Sequence, residues 1–134
     1  MIVADTSVWI DHFRRAETPE LERLRSAVYA GERVVVGDLI LLEVLQGAST
    51  ESMAAGIEGN LRAFDVETML DDKLAVTAAR NYRLLRSKGI TIRRTIDMVI
   101  GTFCLERGYA LLHKDRDFEP MREHLGLRVV ETGP

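Results

Sequence analysis

The sequence predicts an α/β fold: a three-layer sandwich with a mostly parallel central sheet of about five strands, flanked by helices. Three observations carry that reading. Short apolar runs recur along the chain, they are continuous rather than alternating, and segments of helical pattern separate them. Strands that alternate with helices imply right-handed crossovers and therefore parallel neighbours.

The first run is Ile2–Ala4, ending at Asp5. Thr18-Pro19 reads as an N-cap followed by the first helical position, and Gly31 stands just past that helix's end. Val34–Val36 is the second strand. Asp38 then suits the N-cap of a helix over Leu39–Gln46, stopped by Gly47. Phe64–Val66 reads as the third strand, and a long helix follows from about Asp71 to Lys88, ending at Gly89. Another helix begins near Thr95 and ends at Gly108. The fourth strand is Ala110–Leu112, a short helix follows Asp117, and Arg128–Val130 reads as the fifth strand.

The 134 residues fit one domain, taken as 1–134, and a chain of this size buries enough surface to hold a core without metal or cross-links. A lone cysteine, Cys104, excludes an internal disulfide and a multi-cysteine zinc site and points to a reducing compartment. The opening residues run straight into a strand, and no stretch of about 18 apolar residues occurs, so a cytoplasmic protein without membrane contact is expected. The net charge of −3 argues against a simple basic coat for nucleic acid. It does not exclude a nucleic-acid enzyme whose positive charge is a metal ion.

In parallel sheets, function collects beyond the carboxyl ends of the strands. Asp5 and Asp115 both follow strands, at such ends. Glu43 sits in Leu39-Ile40-Leu41-Leu42-Glu43-Val44-Leu45, apolar on nearly every side, so something positive should meet it: Arg, Lys or metal. Asp97 lies at the margin of the stripe Ile96, Val99, Ile100, Phe103 and Cys104. Each acid alone has an ordinary explanation as a cap, a turn residue or half of a salt bridge. Together they make a set of hard oxygen ligands suited to Mg²⁺ or Mn²⁺, ions that activate water and stabilise in-line phosphoryl displacement. The three histidines lack zinc-motif spacing, and neither a nucleophile elbow nor a phosphate-binding glycine loop is present.

Four segments in order resemble the PIN-domain ribonucleases, and within them the VapC toxins of VapBC toxin–antitoxin pairs: Ile2-Val3-Ala4-Asp5-Thr6-Ser7, Asp38 to Gly47 around Glu43, Thr95-Ile96-Asp97-Met98-Val99-Ile100-Gly101, and Leu111 to Phe118. The resemblance implies a metal-dependent endoribonuclease acting as the toxin of a type II pair. It implies that Asp5, Glu43, Asp97 and Asp115 form the catalytic and metal-holding pocket, with Asp117 a possible additional acid. It further implies RNA as substrate, a VapB-type antitoxin as partner and a homodimer. His113 stands near a position where some relatives carry Ser or Thr.

Arg80, Arg83, Arg86 and Lys88 read either as a phosphate-contacting rim or as a solvated helix face balanced by Asp71 and Asp72, whereas Arg93 and Arg94, nearest Asp97, are the better RNA contacts. Trp9 reads as core packing, or as part of a groove for an antitoxin segment. Two other readings compete. A phosphoacceptor receiver domain would need an acidic pair after the first strand, where Asp5 stands without an adjacent acid. A non-catalytic PIN-like module binding RNA or protein would be expected to lose pocket acids, and all four are present.

Overall fold

In a computed structural model, which describes residues 1–132, four strands form one parallel sheet in the order β3-β2-β1-β4. They are β1 (Ile2–Ala4), β2 (Val34–Gly37), β3 (Asp65–Glu67) and β4 (Ala110–Leu112). Ile2 registers with Val34 on one side and Ala110 on the other, so β1 is central. Every residue of β1 and β2 is buried. Strands buried on both faces need helices on both, which is why their apolar runs do not alternate.

Among the described residues seven helices supply that cover: α1 (Thr6–Arg14), α2 (Pro19–Tyr29), α3 (Asp38–Gln46), α4 (Glu51–Leu61), α5 (Asp72–Ser87), α6 (Thr95–Arg107) and α7 (Glu119–Leu125). Their ends follow local chemistry. The Thr18 hydroxyl accepts from the Leu21 amide at 3.1 Å, and Asp71 accepts from the Leu74 amide at 2.8 Å. Gly108 ends α6 with φ +70°, a left-handed conformation that glycine enters without strain. No helix among the described residues is long and apolar enough to cross a membrane.

Three expectations are revised. The fifth strand shrinks to a single parallel bridge, Val129 to Leu111, held by the Leu111 amide donating to Arg128 O and the Val130 amide to Leu111 O. Asp38 does not cap α3, whose N-cap is Gly37. Its carboxylate instead accepts from the distant Met69 amide at 2.9 Å. Between α3 and β3 lies α4, a helix the sequence pattern concealed. Its cap, Thr50 accepting from the Met53 amide, is conventional, but only Ile57 and Leu61 along it are buried.

Candidate active site

Because β1 and β4 are parallel neighbours, their carboxyl ends lie side by side, and the Asp5 amide donates to Leu112 O across them. Asp5 stands at the N-cap of α1 and is buried, its carboxylate receiving the Ser7 hydroxyl at 3.0 Å. Burial pushes its pKa above the usual carboxylate value, the Ser7 hydrogen bond pulls it back, and the Glu43 charge raises it further.

Asp97 is in the first turn of α6, and its burial reaches far beyond the margin the sequence suggested: it is 2 % exposed. α6 packs against α5, β4 and the turn after β4, so the helix is buried from Asp97 through Cys104 without a solvent face. Its Oδ2 is buried with no hydrogen-bond partner. Burial lifts its pKa from 3.8 to about 6. The Arg94 charge opposes the rise, while Asp5, Asp115 and Glu43 add to it. A buried carboxylate oxygen left without a partner is costly, and a cation is the ordinary remedy.

Asp115 follows β4 and caps a 3-10 turn over Arg116–Phe118, accepting from the Asp117 amide at 2.9 Å. Asp97, Asp115 and Asp117 each present a carboxylate oxygen, and the three oxygens lie within 4.8 Å of one another. This triad is the tightest acid group among the described residues, so Asp117 joins the pocket at closer range than its place as an additional acid implied. Asp5 and Glu43 act on the group through their charge.

Glu43, on α3, meets the cation that its apolar neighbours demanded. Arg94 donates to its Oε2, and the Thr6 hydroxyl donates to its Oε1 at 2.6 Å. The pair belongs to the pocket, since the Arg94 charge also feels Asp97 and Asp5. Arg93 pairs with Asp117 at 3.2 Å and is otherwise exposed. Thr6, Asp11 and Lys114 make contacts at the pocket that sequence reasoning did not assign to it. Lys114 pairs with the buried Asp11 of α1, a partnership between residues 103 positions apart that no local pattern announces. A groove of about 470 Å³ runs beside the triad, lined by Ser7, Arg93, Lys114, Asp115, Arg116 and Asp117. An acid floor with three cations on its rim is chemically suited to a divalent ion bridging to a phosphate.

His113 Nδ1 accepts from the Asp115 amide at 3.1 Å, and burial lowers its pKa against the opposing charge of Glu119. Cys104 is buried in α6 and its thiol is pushed up by burial, away from the thiolate form. Trp9 is core, 1 % exposed and packed on Phe64. Its edge also lines a groove of about 370 Å³ with Leu24, Arg25, Val28, Tyr29 and Asn60.

Comparison with known proteins matches the chain over nearly its whole length. The family model described as the PIN domain matches residues 2–123. The chain is 30 % identical over 136 residues to ribonuclease VapC11 of Mycobacterium tuberculosis, covering 97 % of this chain and 98 % of the relative. It is 24 % identical to ribonuclease VapC1 of Methanocaldococcus jannaschii, covering 97 % and 87 %. The fold matches that in the crystal structure of VapBC2 from Rickettsia felis bound to a DNA fragment from their promoter, with TM-score 0.77 and 13 % identity, covering 97 % and 98 % of the two chains. DNA-bound VapBC from Salmonella typhimurium matches with TM-score 0.75 and 19 % identity, covering 98 % of each chain.

Proposed function

The chain belongs to the PIN-domain family, and from that premise we propose that it is an endoribonuclease dependent on Mg²⁺ or Mn²⁺, the toxin of a type II toxin–antitoxin pair. The observation that carries the reading is the buried, partnerless Oδ2 of Asp97 beside the oxygens of Asp115 and Asp117. The ribonuclease names of relatives matched over nearly the whole chain support the reaction class. Residues 1–134 are taken as one such domain, working in the cytoplasm.

The residues present fit a hard divalent ion: the donors are all carboxylates, and one is orphaned in the buried floor. We assign Asp97, Asp115 and Asp5 to hold it, with Glu43 and Asp117 completing the acid set. When bound, the ion supplies the positive charge that activates water and steadies the developing charge at phosphorus. The chain's own residues do the rest. The apolar floor around Asp97 keeps bulk water from that side, which strengthens each charge interaction there. Arg93, Lys114 and Arg116 line the groove that a phosphodiester chain would cross, and Arg94 stands beside Glu43. Ser7 holds the Asp5 carboxylate in its rotamer.

The partners follow from the same reading: RNA in the acid groove, a VapB-type antitoxin, and a second copy of the chain in a homodimer. The Trp9 groove, with Tyr29 96 % exposed at its lip, is the apolar seat we assign to an antitoxin segment. Incubating the purified chain with total RNA and mapping the cut ends tests the activity. Cleavage is expected with Mn²⁺ or Mg²⁺ and is expected to vanish with EDTA. Cleavage undiminished by the chelator overturns the metal assignment. Replacing Arg93 and Arg94 together with Ala is expected to weaken RNA binding and flatten its salt dependence. Identical binding across a salt series removes both from the interface.

A further inference from the structure

Glu43 differs from the other pocket acids in having both oxygens occupied, Oε1 by the Thr6 hydroxyl and Oε2 by the Arg94 guanidinium. The two members of the ion pair live in different surroundings. The Glu43 side chain is 11 % exposed and the Arg94 side chain 55 %. A carboxylate so buried needs a cation, but a guanidinium so exposed loses little on returning to water. Glu43 therefore depends on having a positive partner without depending on this one. Arg94 sits at the N-cap of α6, three residues before Asp97, and the Asp97 amide donates to its carbonyl. From that backbone position its side chain reaches Glu43, and its charge bears on Asp97, Glu43 and Asp5 together.

We infer that Arg94 is a resident counter-cation of the acid pocket, holding Glu43 in place of a divalent ion and competing with that ion for it. The inference rests on the metal-dependent nuclease reading and adds a regulation of the same site. The chain carries its own positive charge into the pocket, so the carboxylates stay together without metal, and the ion must displace the guanidinium from Glu43 to take that ligand. A divalent ion, when bound, would compete for Glu43 through its double charge and its preference for hard oxygen. Arg94 sets how much free metal the exchange requires.

The test is Mn²⁺ alone, titrated into the RNA-free protein and followed through the electron paramagnetic resonance of the unbound ion. Arg94→Ala is expected to bind Mn²⁺ about three- to tenfold more tightly than the parent, the scale of one half-exposed charge pair. In a Glu43→Gln background the same replacement is expected to change the affinity much less, because the contested ligand is gone. Should Arg94→Ala not fold, Arg94→Met keeps the aliphatic stem and carries the same expectation. Unchanged or weaker Mn²⁺ binding overturns the counter-cation role while leaving the nuclease reading standing. Equal tightening in both backgrounds overturns the assignment to Glu43. Absence of Mn²⁺ binding in parent and variants alike overturns the nuclease reading itself, and this inference with it.

Discussion

The acids of α3 and α6 make an instructive pair. Glu43 is surrounded in sequence by leucine and isoleucine, yet its helix keeps an exposed side, with Leu42 55 % exposed, and its carboxylate is fully paired. Asp97 looks marginal on its apolar stripe, yet its helix is buried all round and its Oδ2 has no partner. The difference teaches that apolar neighbours measure what a helix could bury, whereas packing on several sides decides what it does bury. Of the two, the quieter residue in the sequence carries the unmet electrostatic demand.

The largest effect expected from this contrast is on catalysis. Asp97→Asn is expected to lower RNA cleavage by about 100-fold or more, as loss of a ligand and its local field should. Glu43→Gln should cost activity less. The metal-free proteins should diverge in the opposite sense: at pH 8 Asp97→Asn is expected to melt higher than the parent, and Glu43→Gln lower, because one change removes a buried uncompensated charge and the other breaks a pair. Thermal melts in EDTA read this directly, and equal shifts in the two variants would dissolve the contrast.

Next in size is the pH dependence. Asp97 has a folded-state pKa raised from 3.8 to about 6, so the folded chain binds more protons than the unfolded chain between those values. Stability of the metal-free protein is therefore expected to fall as pH rises through that window and to stay lower above it. The displacement corresponds to about 3 kcal/mol. Asp5, also raised, adds in the same direction. Urea midpoints from pH 4 to 8 measure the slope, which Asp97→Asn should flatten and Glu43→Gln, which removes only a minor contributor to the shift, should reduce far less.

A smaller effect lies one turn along α6. A methyl group at Gly101 would come within 2.2 Å of the Met121 sulfur, so the Met121 side chain of α7 occupies the space a side chain at residue 101 would take. Gly101→Ala is expected to cost about 1–2 kcal/mol, overpacking set against the flexibility of methionine. It should disturb the seat of Asp97 while leaving the Glu43 pairings intact, visible as weaker Mn²⁺ binding. Smallest is Thr6→Val, which frees Glu43 Oε1. About 1 kcal/mol of stability is expected to go with that hydrogen bond, measured in urea at neutral pH.

Much of the architecture was legible because it rests on local signals. Thr18-Pro19 and Asp71 cap the helices they mark, and the continuous apolar runs are the central strands. α4 escaped notice because Gly56 and Gly59 weaken its pattern and only one edge of it is buried, so its periodicity is faint. The run at Arg128–Val130 has strand composition, but a single bridge to Leu111 is all the pairing it makes. In the site, residue types at strand ends pointed to the acids. What they could not convey was pairing across the fold: Asp38 with the Met69 amide, Lys114 with Asp11, Arg94 with Glu43. Those contacts join residues 31 to 103 positions apart, and nothing in the local spacing of either partner encodes the other.

The enclosure of α6 has a further consequence, in time rather than in space. A backbone amide trades its hydrogen for deuterium only when its segment opens, and segments wrapped on all sides open last. The amides from Met98 to Cys104 should therefore outlast those of α4, which is thinly anchored, by orders of magnitude in an exchange experiment. Partial openings that loosen the periphery would leave the floor beneath Asp97 standing, so the acid it carries should be among the last parts of the molecule to lose its place.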